Sequence, residues 1–334
     1  MAFREIAGNR HLLDLVAGAA SRGTLPPSLI FAGPAGVGKR MTAVALAQLM
    51  NCLQPDTFDR LDACGACAAC KRIARNVHAD VLMIEPGDTG AIKIDQVRDA
   101  IERSAYRPFE GRRRVVIVND AEALNAEAQN ALLKTLEEPP TASTFTLVTA
   151  RPDMLLPTVL SRCQRLRFGR LSPADVADVL MRNHEYSETD AHAAASLSDG
   201  SVGRALEGGT DEVVDAREAA TELLEAVATT SDPWRRLGGA KALAGGARGG
   251  SDRGELARRL YALSSIIRDL TVLLSRADER SLANTDLRAR LERLQRSFDR
   301  DRALRAFSAI DRALAALDRN ASPKIVADWL AFQI

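Results

Sequence analysis

Aromatic residues are scarce in this chain: two Trp, three Tyr and nine Phe make up 4% of 334 residues. Its cores must therefore be built mainly from Ala, Leu, Val and Ile, within a hydrophobic fraction of 46%. Charge of one sign is missing too, with 45 Lys and Arg against 44 Asp and Glu. No global field announces a nucleic-acid or membrane partner, so any basic surface is local. No apolar run approaches the ~20 residues of a membrane span. The opening "MAFREIAGNRHLLDL" has charges where a signal peptide needs an apolar run, and a cytoplasmic protein is expected. Cysteine is limited to five, an odd count, and a cytosolic chain rarely spends them on structural disulfides. The length suits two or three domains at roughly 150 residues each.

Against these absences stands "FAGPAGVGKRM" at residues 31–41. Gly33, Gly38 and Lys39 fit the phosphate-loop pattern G-x-x-x-x-G-K-[ST], and Gly36 adds a further glycine. In such a loop the backbone N–H groups and the lysine cradle phosphates. The next position calls for a hydroxyl that ligands Mg²⁺, and here it is Arg40. Thr42 is no substitute, because residues two apart on a helix do not share a face. The strand "VVIVND" at 115–120 should end in two acidic residues, one for the metal and one for the attacking water. It ends instead in Asn119 and Asp120. Together these changes remove the metal's protein contacts from both sides, so bound Mg²⁺ is doubtful.

The setting supports a loop of this kind. "SLIFAGPAGVGK" reads as a strand feeding the loop, and "RMTAVALAQLMN" as the helix behind it. "ADVLMIEP", "RRVVIVND" and "TFTLVTARP" read as three more buried strands, separated by the helical "KIDQVRDAIERSAY" and "NAEAQNALLKTLEE". Alternation of this sort means a parallel sheet wrapped by helices, an α/β domain. After about residue 168 strand signals stop. "SPADVADVLMR" and "ETDAHAAASLSDGSVGRALEGG" read as a small helical unit, and a glycine-rich stretch interrupts residues 238–251. Beyond it three apolar helix faces are expected: Leu256, Leu260, Leu263, Ile267, Leu270 and Leu274; Leu287, Leu291, Leu294 and Phe298; Leu304, Phe307, Leu314 and Leu317.

Four of the five cysteines, Cys52, Cys64, Cys67 and Cys70, fall within nineteen residues between the first helix and the second strand. Four soft thiolates at this spacing suit tetrahedral Zn²⁺ in a closed structural site, a knuckle at 52–70. His78 lies nearby but is redundant. The fifth cysteine, in "LSRCQRLRF", follows Arg162. From spacing alone Arg162 reads as an ordinary solvated charge.

"NALLKTLEEPP" at 130–140, "LSRC" at 160–163 and the Cys₄ insert together resemble the clamp-loader branch of the AAA+ ATPases. The likeness runs from "FREIAGN" through "DGSVGRAL" and continues faintly to "RNASPKIVADWL". It implies a RecA-like AAA+ domain (1–168), a helical lid (169–230) and an all-α collar (231–334). Within that branch, "GKR", "ND", "IKIDQVR" and "GSVGRAL" are more similar to delta-prime-type subunits than to the gamma and tau motors, and the collar-like end shows no tail of the tau kind. The resemblance implies that Arg162 acts in trans as a finger in a neighbour's ATP site, and that Thr149 and Arg204 are the two sensors. ATP or ADP would sit at Gly33, Gly36, Gly38, Lys39, Arg40, Asp120, Thr149 and Arg204, with little or no hydrolysis by this chain. The implied partners are gamma/tau and delta subunits, the sliding clamp and primer-template DNA, in a hetero-pentamer that loads the clamp during replication. An active gamma/tau-type ATPase and a zinc-bearing nucleic-acid module remain open alternatives. The second of these is disfavoured by the lack of a dense basic and aromatic surface.

Overall fold

The computed structural model describes residues 2–55, 62–87, 89–207, 210–229, 232–245, 253–275, 282, 284 and 287–334. Residues 56–61 of the cysteine insert, the expected boundary at 230 and 231, and 246–251 of the glycine-rich stretch lie outside the described residues. The chain divides into two compact units, Met1–Ser172 and Pro173–Ile334.

The first unit is an α/β fold built on a parallel sheet. Its five strands are β1 (Ser28–Ala32), β2 (Val81–Ile84), β3 (Arg114–Val118), β4 (Ser143–Thr149) and β5 (Gln164–Arg167), all parallel, in the order β2-β3-β4-β1-β5. Six helices cover them: α1 (Arg10–Ser21), α2 (Lys39–Asn51), α3 (Ala68–Ala74), α4 (Ile94–Ala105), α5 (Ala126–Glu137) and α6 (Pro157–Leu160). Because strand side chains alternate between faces, β1 to β4 each feed two cores. Leu29, Phe31, Val115, Ile117 and Val148 pack with Leu13 and Val16 of α1 and Leu46 of α2. Ile30, Val116, Val118, Phe145 and Leu147 pack with Val97 of α4 and Leu132 and Leu136 of α5.

The four expected strands are present, and β5 is an addition to them. It pairs only with β1, at the sheet's edge, and Gln164, Arg165 and Arg167 are exposed. A strand whose one apolar contribution is the half-buried Leu166 carries little signal of burial in its sequence.

The entry to β3 is fixed by two buried side chains. Asp80 accepts the N–H groups of Phe109, Glu110 and Gly111 at 2.7–2.9 Å and pairs with the Arg114 guanidinium at 2.8 Å. Asn51 Oδ1 accepts the N–H groups of Arg112 and Arg113 at 2.9 and 3.0 Å. Burial pushes the Asp80 carboxyl up, but the three N–H donors and Arg114 outweigh it and hold the group below the usual carboxylate range.

Among the described residues the second unit is all helical: α7 (Pro173–His184), α8 (Glu188–Leu197), α9 (Val202–Glu207), α10 (Thr210–Thr229), α11 (Pro233–Leu243), α12 (Arg253–Leu274), α13 (Arg288–Leu294), α14 (Arg300–Asp318) and α15 (Pro323–Gln333). The first two expected faces are buried on one core, with Leu274 and Leu287 partly covered. The third is borne out in half: Leu317 is buried and Leu314 partly covered, but Leu304 and Phe307 are exposed, and Ala303, Ala306, Ala309, Ile310 and Ala313 complete the packing face of α14. Alanines are weak carriers of an apolar pattern, yet they allow helices to approach closely. The glycine-rich stretch is also corrected at its start, since α11 runs through Gly238 and Gly239. A Cβ at Gly239 would stand 3.1 Å from Leu223 Cδ1 of α10, so the missing side chain is what lets the two helices touch.

Candidate nucleotide and metal sites

In a parallel sheet the carboxyl ends of the strands share one edge, and there the phosphate loop forms. Gly36 and Gly38 adopt φ of +71° and +94°, a region that L side chains rarely enter. A Cβ on Gly33 would collide with the carbonyl oxygen of Phe168. The loop then opens α2, whose first N–H groups face the turn, the arrangement that receives phosphate.

Lys39 is turned inward. Its Nζ donates to the carbonyls of Gly33 and Pro34 at 2.7 and 2.5 Å, and the residue is buried. Burial lowers its pKa, while the nearby carboxylates of Glu122 and Asp120 work in the opposite direction. The Thr42 hydroxyl donates back to the Gly38 carbonyl at 2.9 Å and is fully buried, so it supplies no metal ligand. Arg40 is half exposed and pairs with Glu85, just beyond β2, through Nε at 3.1 Å and Nη2 at 3.0 Å. Asn119 donates from its amide to Asp120 Oδ2 at 3.0 Å. Burial and then the Glu122 charge push the Asp120 carboxyl up, opposed by Lys39 and Arg40.

Thr149 ends β4 in register with Ala32 of β1, and its carbonyl accepts the Gly33 N–H at 3.3 Å. Its hydroxyl accepts the Arg151 N–H at 3.0 Å. The loop glycines, Lys39, Arg40, Asp120 and Thr149 thus gather at one edge. Two further residues belong there, Glu85 and Glu122. Glu122 Oε1 accepts the Ala150 N–H at 3.1 Å, while its Oε2 is buried without a hydrogen-bond partner among the described residues. Marking the first acidic residue after each strand would have found Glu85 but not Glu122, which lies two residues beyond Asp120.

Arg162 belongs to another set of contacts. Its guanidinium bonds Glu137 at the end of α5 through Nε and Nη2 at 3.1 and 3.0 Å, and donates to the Thr158 carbonyl. Arg204 lies in the second unit, 3.9 Å above the Tyr261 ring and 3.5 Å from Asp199. Arg114, the first residue of β3, is spent on Asp80.

The four cysteines do converge. The Sγ atoms of Cys52, Cys64, Cys67 and Cys70 lie within 4.8 Å of one another. With metal–sulfur bonds of about 2.3 Å a tetrahedral site needs sulfurs about 3.8 Å apart, and four thiols gathered within 4.8 Å of one another fit a metal ion after a small contraction. Three N–H···S bonds order the knuckle, from Cys64 to Cys52, Cys67 to Cys64 and Cys70 to Cys67, at 3.3–3.5 Å. Burial raises the Cys52 and Cys70 thiols. Burial also acts upward on Cys67, but the Cys70 and Leu53 N–H groups and the neighbouring thiols outweigh it and bring it to about 6. Asp62 ties the insert to the start of the chain, accepting the N–H groups of Phe3 and Arg4 at 3.0 and 3.1 Å. His78 stands outside this set, near Glu110. Burial raises the remaining thiol, Cys163, to about 12, which makes it inert.

Residues 8–172 match the sequence profile of a family described as "DNA polymerase III, delta subunit". Over 132 residues the chain is 42% identical to DNA polymerase III subunit delta' of Pseudomonas aeruginosa, covering 39% of each chain. Over 209 residues it is 32% identical to subunit tau of Salmonella typhimurium, 61% of this chain and 32% of that one. The matches thus span about a third of the length of these curated relatives. A solved gamma-subunit-related protein of Thermotoga maritima is 18% identical, with a TM-score of 0.42 over 96% of this chain and 97% of that one.

Proposed function

We propose, on the premise that residues 8–172 carry the DNA polymerase III delta-type clamp-loader family, that this chain is the delta-prime-type subunit of a clamp loader. It acts in the cytoplasm as a stator: it helps to load the sliding clamp onto primer-template DNA but hydrolyses little or no ATP itself. The observation that carries this reading is an intact phosphate loop from which the metal's protein ligands have been withdrawn. Arg40 stands where a hydroxyl is needed, Thr42 is spent on the Gly38 carbonyl, and Asn119 replaces a carboxylate. ATP or ADP fits the glycine cradle and Lys39, and Zn²⁺ fits the four thiols as a structural ion.

Hydrolysis then belongs to the neighbours. Arg162 lends its guanidinium to a gamma/tau subunit's site, leaving Glu137 to do so. A fixed cation of this type is worth about 10³–10⁵ in rate, because it stabilises charge spread over the transferring phosphoryl group. The helices of residues 173–334 supply a lid and a collar, with Arg204 as the lid's sensor, and the collar closes a hetero-pentamer with gamma/tau and delta subunits.

The rival reading, an active gamma/tau-type ATPase, draws on the longer match to tau. Steady-state hydrolysis by the purified chain separates the two. The delta-prime reading expects turnover at background, unchanged by Lys39→Ala. Turnover at the level of the motor subunits, abolished by Lys39→Ala, would establish the rival.

A further inference from the structure

A phosphate loop holds its nucleotide as a Mg²⁺ complex, because the ion offsets the charge of the phosphates beside the acidic strand ends. Magnesium demands near-octahedral oxygen ligation, and in sites of this type one or two protein ligands supply part of it. The loop's edge of this sheet does not fit that ion. Glu85 Oε1 is taken by the Arg40 guanidinium, Asp120 Oδ2 by the Asn119 amide, the Thr42 hydroxyl by the Gly38 carbonyl, and Glu122 Oε1 by the Ala150 N–H. The oxygens left over are Glu85 Oε2, on the carboxylate already paired with Arg40, and Asp120 Oδ1 and the buried Glu122 Oε2, on the two carboxylates that act on the Lys39 ammonium.

The charges themselves are informative. Relative to the loop pattern, Arg40 in place of a hydroxyl adds one positive charge. Asn119 in place of a strand-end Asp removes one negative charge. Together they make the site more positive by two, the charge of the ion they exclude. We propose that Arg40 and Asn119 replace the magnesium ion electrostatically, so that this chain binds its nucleotide as the free, metal-less di- or triphosphate. The Arg40 guanidinium, already held at the first turn of α2 by Glu85, is the resident counter-charge. This deepens the functional reading above and rests on its nucleotide-binding part.

The experiment is calorimetric titration of the full chain with ATP and with ADP. One buffer contains excess Mg²⁺, and the other is freed of divalent ions by ion-exchange resin, not by a chelator, so that the cysteine site is left undisturbed. The native chain should bind equally in both, within about twofold. The double variant Arg40→Ser with Asn119→Asp restores the loop pattern. It should lose about tenfold or more in affinity without Mg²⁺ and recover it with Mg²⁺. Arg40→Lys should keep the native indifference, because it preserves the charge. Arg40 is half exposed, so none of these changes threatens the fold, and circular dichroism checks that they have not altered it. Native binding that strengthens about tenfold on adding Mg²⁺ would overturn the proposal alone. So would a double variant that remains indifferent to the ion. No binding of either nucleotide in either buffer would remove the nucleotide-binding reading and the proposal together.

Discussion

The phosphate loop and the cysteine knuckle lie in one unit and stand in opposite relations to their ligands. The loop has satisfied itself: Lys39 holds two loop carbonyls, Thr42 a third, and Arg40 is paired with Glu85. The knuckle has not. Its four thiols converge within 4.8 Å, and what orders them is three weak N–H···S bonds. One site is satisfied by its own residues, while the other keeps four thiols at a spacing that fits an ion.

The sharpest way to break this comparison is to strip the knuckle. Structural zinc contributes apparent free energies of about 10–16 kcal/mol in small peptide sites. Chelation should therefore lower the melting temperature of the N-terminal unit more than any single substitution does. Cys70→Ser, at a buried position, should do more harm than Cys64→Ser. An unchanged melt after metal analysis shows none bound would refute the idea that the knuckle depends on its ion.

Next comes Asp80, which serves neither ligand but anchors the sheet they share. Asp80→Asn leaves Arg114 buried without its counter-charge and should cost about 3–5 kcal/mol in denaturant titration. Because the folded carboxyl is held below its ordinary value, the native stabilisation is complete above about pH 4 and is lost as pH falls through the lower folded value. The variant should lack that part of the acid dependence.

Lys39→Ala sharpens the other side of the comparison. It removes two hydrogen bonds to loop carbonyls and should cost only about 1–2 kcal/mol, while nucleotide affinity disappears. The smallest effect on stability is expected for Arg162→Ala, below about 1 kcal/mol, since its partner Glu137 is largely exposed. In a complex reconstituted with wild-type partners, hydrolysis stimulated by clamp and DNA should nevertheless fall in part. Unchanged rates in a fully assembled complex would reduce Arg162 to the Glu137 partner seen here.

Much of the first unit was legible in the sequence, because its signals are categorical. Four apolar runs became the buried strands, and four cysteines met at one point. The position of Arg40 betrayed the missing hydroxyl, and the Thr42 hydroxyl is indeed turned away. The same sequence concealed the pairing of Glu85 with Arg40 and the approach of Glu122 to Lys39, which arise only when the strand ends are brought to one edge of the sheet. It also misdirected the reading of α14, where Leu304 and Phe307 outweigh the alanines in any apolar tally, although the alanines do the packing. Glu137 could not have been paired with Arg162 from spacing, being twenty-five residues away, at the end of α5.

The strand most completely hidden was β5, and what hid it has a consequence for how the protein behaves at high concentration. An edge strand offers a row of unpaired backbone donors and acceptors on which a strand from another molecule can grow. In β5 the exposed Gln164, Arg165 and Arg167 border that row. A second chain approaching there would have to crowd like charges and strip water from guanidinium groups before forming its first backbone bond. The polarity that erased the strand's signature from the sequence is thus the property that guards the sheet against aggregation at that edge.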